Sequence, residues 1–257
     1  MIHLVFISAL LVEVLSFSTF SELHPNLRIV GGSEVSIEDV PYQVSVTDSG
    51  EHFCGGSVIG RKHIVTAGHC VNNTVNLNPV RVVTETDGTS KGVENRVRKI
   101  FVHPNITYLD KQLDYDIAVL ELEERLDFNE KCQPIALPRA SEEVCDNAFM
   151  LASGFGMITG DLENENGTLR AVVVPKYRDG KCFEDYYHIR GISARMICAG
   201  SAGKGVCSAD SGGPLVRNGI LYGIVSWGRG CGSRFPAVYT RIASPPIRDW
   251  IKQTFNI

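Results

Sequence analysis

The sequence lacks the marks of several large protein classes. Its 257 residues include 25 Lys and Arg against 29 Asp and Glu, a net charge of −4, so it has no basic excess of the kind that nucleic-acid-binding proteins carry. Its 25 Gly and 11 Pro follow no repeat, which excludes collagen-like and low-complexity chains. It has no H-E-x-x-H or C-x-x-C motif, so a zinc site is unsupported and no metal or cofactor is expected. What remains is an ordinary globular protein of one large domain or two small ones.

Long apolar runs are also scarce, because the sequence has only one, at residues 2–20. Glu13 interrupts it, so it is a poor membrane span and is better interpreted as a secretory signal peptide of residues 1–18, ending between 18 and 21. An uncleaved membrane anchor is the alternative. Three N-x-[ST] sequons, at Asn72, Asn105 and Asn166, are typical of a glycosylated export product. We therefore expect a secreted, extracellular protein whose cysteines form disulfides.

Beyond residue 28 the chain is dominated by short β-branched segments, which Gly, Asn, Asp and Pro separate. The clearest are residues 42–46, 57–59, 64–66, 80–84, 117–122, 171–174 and 221–227. Many short strands at this spacing indicate an antiparallel barrel or sandwich. Near the end, Ile247, Trp250, Ile251 and Phe255 recur at helical spacing, which predicts a short amphipathic helix over about 246–256.

Three segments carry residues for nucleophilic catalysis, T-A-G-H-C at 66–70, D-Y-D-I-A-V-L at 114–120 and D-S-G-G-P at 210–214. A serine hydroxyl needs a base within hydrogen-bond reach, and the base needs a group that orients it. An imidazole can take the proton and return it, and a buried carboxylate fixes its tautomer. His69, Asp116 and Ser211 supply these groups in that order. No His follows Ser211, which argues against an α/β-hydrolase.

Together these residues resemble the chymotrypsin/trypsin family of serine endopeptidases. Further matching motifs are I-V-G-G at 29–32, C-G-G at 54–56, D-S-G-G-P-L at 210–215, S-W-G at 226–228 and P-A-V-Y-T at 236–240. The resemblance covers residue 29 to about 252. It implies an all-β fold of two packed antiparallel six-stranded β-barrels, at about 29–140 and 141–245, with a C-terminal helix and the active site between the barrels. It makes His69 the general base, Asp116 its orienting group and Ser211 the nucleophile.

The resemblance also implies a zymogen. Cleavage after Arg28 would remove a propeptide of residues 19–28 and free the α-amino group of Ile29. In the family this cation pairs with the Asp before the nucleophile, here Asp210, because a buried carboxylate without a partner is costly. Protein or peptide substrates and a separate activating trypsin-like protease are the expected partners, and protein protease inhibitors are a further candidate class. Neither nucleic acid nor a membrane is expected, and the protein is expected to be a monomer.

The pocket is where the sequence departs from trypsin-type members, which bind Lys or Arg with an Asp six residues before the nucleophile. That position is Gly205 here. The resemblance assigns the pocket to Gly205, Val206, Ser226, Trp227, Gly228 and Ala237. None is acidic, so a buried Lys or Arg side chain would lack a counter-charge. We predict a chymotrypsin-like preference for aromatic or large apolar P1 residues. An elastase-like preference for small aliphatic residues and a weakly active homologue with a binding or regulatory role are the alternatives.

The oxyanion hole contains a second departure. The resemblance assigns its backbone donors to Ser211 and Ala209, and the family has Gly at the position of Ala209. Alanine keeps the N–H donor, but its methyl group is expected to strain the loop, and even a small tilt of an oxyanion donor affects the rate.

The eight cysteines divide into family bridges and a remainder. The resemblance implies disulfides Cys54–Cys70, Cys182–Cys198 and Cys207–Cys231. Cys132 and Cys145 remain, and parity pairs them as a fourth bridge. Two free thiols or an intermolecular bond are the alternatives.

Overall fold

The computed structural model describes residues 30–89, 92–109, 112–156 and 167–257. The predicted signal peptide and propeptide, Arg28, Ile29 and the sequon residue Asn166 lie outside these residues. In the described residues the strands are β1 (Ser33–Glu34), β2 (Gln43–Asp48), β3 (Glu51–Gly60), β4 (His63–Thr66), β5 (Val80–Thr84), β6 (Val93–Val102), β7 (Thr107–Leu109), β8 (Gln112–Asp114), β9 (Ala118–Leu122), β10 (Phe149–Gly154), β11 (Arg170–Pro175), β12 (Met196–Ala199), β13 (Pro214–Arg217), β14 (Ile220–Trp227) and β15 (Ala237–Arg241). The helices are α1 (Gly68–Val71), α2 (Asp179–Tyr186) and α3 (Pro245–Phe255).

The first barrel is a closed ring of six antiparallel strands in the order β2-β3-β4-β9-β6-β5. Its interior is filled by fully buried β-branched and leucine side chains, among them Val44, Val82, Ile64 and Leu120. These side chains come from four different strands, and their burial keeps the register of the ring fixed. The predicted antiparallel six-stranded barrel is confirmed here.

The second sheet has seven strands in the order β1-β11-β10-β13-β14-β15-β12. Directly after β11, Lys176 forms a bridge with Ala199 at the end of β12, and the Tyr177 N–H donates to the Cys198 carbonyl at 2.7 Å. These contacts bring β12 back to β11, so β10 to β15 form the second six-stranded barrel. The two-residue β1 adds to it as a seventh strand through β11, although β1 precedes the first barrel in the chain.

The two barrels and the C-terminal helix share one apolar cluster. It contains Val65 and Val119 from the first barrel, Leu221 and Ile224 from the second, and Ile251 from α3, each fully buried. The predicted helix is confirmed and begins one residue earlier than expected. This shared cluster holds the barrels against each other, so loops of both barrels meet at one cleft. In the part of the chain that the structure describes, no helix is long and apolar enough to cross a membrane.

Candidate active site

Strand pairing brings the predicted base and its orienting carboxylate together. Thr66, the last residue of β4, pairs with Ala118, the first residue of β9. His69 lies three residues beyond Thr66, on α1, and Asp116 lies two residues before Ala118. The Nδ1–H of His69 donates to Asp116 Oδ2 at 2.7 Å, and the His69 backbone N–H donates to Asp116 Oδ1 at 2.7 Å. The proton on Nδ1 leaves Nε2 with the lone pair that a general base needs.

Asp116 is buried, with 1% of its surface exposed, and it is satisfied by groups from the second barrel. The Ser226 hydroxyl donates to the same Oδ2 that His69 contacts, and the Thr240 hydroxyl donates to the Asp116 carbonyl at 2.7 Å. The carboxylate accepts from the two His69 N–H groups and the Ser226 hydroxyl, so it stays in one position while Thr240 fixes the backbone beside it. The sequence interpretation assigned Ser226 to the pocket and overlooked Thr240. Nothing local marks either residue as a partner of Asp116, because both lie more than a hundred residues away in the sequence.

Ser211 lies in the turn before β13, and backbone hydrogen bonds set its position. The Gly55 N–H, on β3 of the first barrel, donates to the Ser211 carbonyl at 2.7 Å. Gly212 has φ +81°, and a Cβ there would lie 2.4 Å from the Gly55 carbonyl oxygen. Only glycine allows this close approach of the two barrels. Ser211 thus lines a cavity, and Ser226, the partner of Asp116, lines the same cavity.

The loop predicted to form the oxyanion hole contains the alanine that departs from the family pattern. Ala209 has φ +67°, which is the left-handed region that glycine adopts without cost. Its carbonyl accepts a hydrogen bond from His52 Nε2 at 3.0 Å, and His52 Nδ1 in turn accepts from the Ser45 hydroxyl at 2.8 Å. Burial lowers the pKa of His52, which favours a neutral imidazole at this position. These two hydrogen bonds give His52 a structural role beside the loop that carries Ser211.

Asp210 is the most deeply buried carboxylate of the site, with no exposed surface. It accepts the N–H of Gly156 at 2.9 Å and the N–H of Cys207 at 2.8 Å. A Cβ at Gly154 would lie 2.2 Å from Asp210 Oδ1, so Gly154 has to be glycine for the carboxylate to fit. Burial raises the pKa of Asp210 to about 6, and the two backbone hydrogen bonds offset part of the effect. No Lys, Arg or His of the described segments forms an ion pair with it.

Comparison with known proteins decides the family. The family model named Trypsin matches residues 29–251. This chain belongs to the trypsin family of serine proteases. Its relatives include Trypsin 5G1 of Aedes aegypti, 40% identical over 93% of this chain and 89% of the relative, and a trypsin of Phaedon cochleariae, 38% identical over 92% of each. A vitellin-degrading protease of Bombyx mori is 35% identical over 90% of this chain and 87% of the relative. The chain is therefore a serine endopeptidase.

The cavity beside Ser211 has a volume of about 340 Å³, and none of the described residues that line it is charged. The residues that line it are Val206, Cys207, Ser208, Ser211, Val225, Ser226, Trp227, Gly228, Gly230, Cys231 and Ala237. Five of the six predicted pocket residues are among them. The sixth, Gly205, is buried next to Val206 and donates its N–H to the Val30 carbonyl at 2.9 Å. Within the described part of the chain, the lining of this cavity therefore offers a cationic side chain no counter-charge.

Three of the four predicted disulfides are present, Cys54–Cys70, Cys182–Cys198 and Cys207–Cys231. The fourth prediction is wrong, because Cys132 and Cys145 are both free. Cys132 is 1% exposed and packs into the core of the first barrel. Cys145 is exposed on the second barrel and lines a surface cavity with Lys176. Counting cysteines could not reveal this separation.

Two further surface and ligand assignments follow from the structure. Asn72 and Asn105 are exposed, as glycosylation requires. In the described segments one group of metal-ligating residue types lies together, Cys54, His69 and Cys70. The two sulfurs are joined in a disulfide, so the group offers a metal one imidazole, and that imidazole is held by Asp116.

Proposed function

We propose that this trypsin-family protease cleaves polypeptides after aromatic or large apolar residues. The observation that carries the proposal is the uncharged cavity beside Ser211. Gly228 keeps one wall open, and a Cβ there would already contact the Ala237 methyl at 3.9 Å. A volume of about 340 Å³ suits one large side chain. A Lys or Arg side chain would enter without a carboxylate to pair with, which costs several kcal/mol.

The proposed reaction uses the three residues that the family resemblance assigns, and the observed hydrogen bond from His69 to Asp116 supports it. The Ser211 hydroxyl attacks the substrate carbonyl carbon while His69 Nε2 takes its proton, and Asp116 stabilises the imidazolium that results. The backbone N–H groups of Ala209 and Ser211 are the donors for the oxyanion of the tetrahedral intermediate. His69 then gives the proton to the leaving amine, so an acyl ester on Ser211 remains. Water activated by His69 hydrolyses this ester and restores the serine.

Activation by cleavage after Arg28 is part of the proposal. A completely buried carboxylate is costly unless a cation pairs with it. Asp210 accepts two backbone N–H groups, and its pKa is raised to about 6, which favours the neutral form. The chain passes close by, since Val30 hydrogen-bonds Gly205. A new α-amino group on Ile29 would give Asp210 the missing positive charge. Because the pocket disfavours Arg, another protease with Arg specificity makes the cut.

Export completes the proposal. The apolar segment at residues 2–20 serves as the signal peptide, and Asn72 and Asn105 stand exposed as glycan acceptors. The three disulfides suit an oxidising extracellular environment. We propose that the mature protein is a monomer of residues 29–257.

Cleavage of matched peptides tests the specificity. After activation by a trypsin-like protease, kcat/KM is measured on peptides that differ only at P1, with Phe, Tyr, Leu, Met, Ala or Arg. Phe, Tyr, Leu or Met should be cleaved fastest, and Arg at least about 100-fold more slowly, as an unpaired buried charge requires. A maximum at Ala would make the pocket elastase-like, and a maximum at Arg would overturn the proposal.

The variant Gly205→Asp sharpens this test. A Cβ at Gly205 meets no atom within 4 Å, so the side chain can begin there without displacing a neighbour. It should raise kcat/KM for the Arg peptide by at least about ten-fold, because it supplies a counter-charge. Gly180→Asp is the matched control, since a Cβ there also meets nothing within 4 Å and the residue lies on α2. An increase for Arg peptides in both variants would point to a long-range charge effect and not to the pocket.

A further inference from the structure

A cluster of aromatic rings stands at the rim of the substrate cavity. Tyr186 packs edge-on against Trp227, with ring centroids 4.9 Å apart, and its centroid lies 5.7 Å from that of Phe235. The Tyr186 hydroxyl donates to the Pro236 carbonyl at 2.6 Å. Trp227 is itself part of the cavity lining. The cluster is therefore a fixed platform, continuous with the pocket wall.

Three arginines lie over this platform, and we call them the arginine rim: Arg190, Arg229 and Arg234. The guanidinium carbon of Arg190 is 5.3 Å from the centroid of Trp227. Those of Arg229 and Arg234 are 4.8 and 5.0 Å from the centroid of Phe235. The last two are thus separated by no more than a Debye length, about 10 Å at 0.1 M salt. Stacking on aromatic rings limits the motion of each guanidinium without neutralising it.

The arginine rim carries positive charge that the described part of the chain does not neutralise. None of its members forms an ion pair with a carboxylate of the described residues, although eleven such pairs occur elsewhere in those segments. The acidic group that Arg234 influences is Asp185, and Lys181 holds that carboxylate at 2.6 Å. Arg229 and Arg234 are exposed. Three cations on a protein of net charge −4 form a local field that attracts an anion.

The rim lies where the acyl half of a substrate must pass. Arg229 stands between Gly228 and Gly230, and both of these glycines line the cavity. The leaving amine receives its proton from His69, on the first barrel, so the chain after the cleaved bond runs towards that barrel. The chain before the bond then crosses Trp227 and Gly228. In an extended peptide, residues two and three positions before P1 lie about 7 to 10 Å from it, within reach of a long arginine side chain.

We propose that the arginine rim binds a Glu or Asp side chain of the polypeptide substrate at P3 or P4. The protein then selects sequences in which an acidic residue precedes the cleaved bond by two or three positions. The proposal rests on the protease activity, and it uses the proposed apolar P1 preference only to choose the peptides. If another P1 residue is cleaved fastest, the peptides are built with that residue, and the comparison of acidic with neutral peptides is unaffected.

The experiment compares peptide pairs that share the fastest P1 residue and carry Glu or Gln at P3 or P4. We expect kcat/KM to favour Glu about five-fold at 20 mM salt, the upper range for an exposed charge pair, and to approach parity at 300 mM. The double variant Arg229→Gln with Arg234→Gln should bring the ratio to about one. The double variant with Lys at both positions should keep most of the preference, because it keeps the charge. Arg125→Gln, an exposed arginine on the first barrel, is the control that should leave the ratio unchanged.

Two results would overturn the proposal. One is equal cleavage of Glu and Gln peptides by the wild-type protein at low salt. The other is a Glu preference that survives in the Gln double variant, which would assign it to other residues. Retention on a heparin column tests whether the arginine rim binds a sulfated polysaccharide instead. If retention depends on the arginine rim while the peptide ratio does not, the rim binds a sulfated polysaccharide and the substrate proposal is wrong. A variant that cleaves no peptide is replaced by its Lys counterpart, which tests the charge in a side chain of similar length.

Discussion

The buried charge of Asp210 predicts that the precursor and the cleaved protein differ in how their stability depends on pH. The perturbation is the cut after Arg28, and an Arg28→Gln precursor that trypsin-like proteases cannot cut there provides the uncleaved form. In the precursor the Asp210 carboxyl is completely buried, and burial raises its pKa from 3.8 to about 6. In the cleaved form the proposed α-amino group of Ile29 would pair with it.

The size and sign of the effect follow from linkage. Between pH 3.8 and about 6 the folded precursor binds a proton at Asp210 that the unfolded chain has already lost. Its stability therefore falls as the pH rises through this window and levels off above it. A difference of about two pKa units corresponds to about 3 kcal/mol at neutral pH. In the cleaved form the cation lowers the Asp210 pKa and removes this loss, until the amine itself deprotonates at alkaline pH.

The assay is guanidinium unfolding of both forms at intervals from pH 4 to pH 8, with the disulfides intact. Burial lowers the pKa values of His52, His63 and His103, so these side chains stabilise both forms as the pH rises towards 6.5. That contribution is common and cancels in the difference. The stability difference should grow by about 3 kcal/mol in favour of the cleaved form between pH 4 and pH 7. Parallel curves would refute the idea that Asp210 lacks a cation before cleavage.

Three further predictions concern the oxyanion loop and the free thiols. Ala209→Gly should raise the unfolding free energy by about 1 kcal/mol, because a left-handed φ is costly for alanine. It should change kcat less than about three-fold, because the N–H donor is retained, and a large gain in kcat would show that the methyl group distorts the oxyanion hole. His52→Ala should lower kcat about ten-fold, because it releases the Ala209 carbonyl from its hydrogen bond. The exposed control His188→Ala should leave kcat unchanged, and equal effects of the two variants would show that His52 does not position the Ala209 loop. A thiol reagent should label Cys145 in the native protein and Cys132 only after unfolding, since burial raises the pKa of Cys132 to about 11; an unlabelled native protein would restore the predicted bridge.

Local sequence patterns predicted the elements whose burial is periodic. The β5 segment was predicted with the bounds it has, and β9 and α3 within one residue. The eight-residue α2 was missed, because only Cys182 and Tyr186 are buried on it, too few for a periodic signal. The closure of the second barrel was implied by the family resemblance. No local pattern marks the contacts of Lys176 and Tyr177 that achieve it.

Long-range contacts set the limit for the site as well. The triad could be named from three motifs, because each motif is local and the resemblance assigns its role. The hydrogen bond from His52 to the Ala209 carbonyl spans 157 residues, and the one from Ser226 to Asp116 spans 110. Such contacts depend on how the barrels pack. Cysteine parity also failed because it ignores the fold. Cys132 and Cys145 are only 13 residues apart in the sequence, but Cys132 is buried in the first barrel and Cys145 is exposed.

Ser226 has two roles, which explains why P1 specificity is better changed by a charge at Gly205 than by a substitution of Ser226. Ser226 lines the cavity beside Ser211 and also donates to the Asp116 carboxylate, which accepts the Nδ1–H of His69. A substitution there would leave Asp116 with one donor fewer, so it would alter kcat as well as P1 preference. The Gly205 N–H donates to the Val30 carbonyl, and a Cβ at Gly205 would meet no atom within 4 Å. An acid at Gly205 can therefore change which side chain the pocket accepts while the proton-transfer geometry stays as it is.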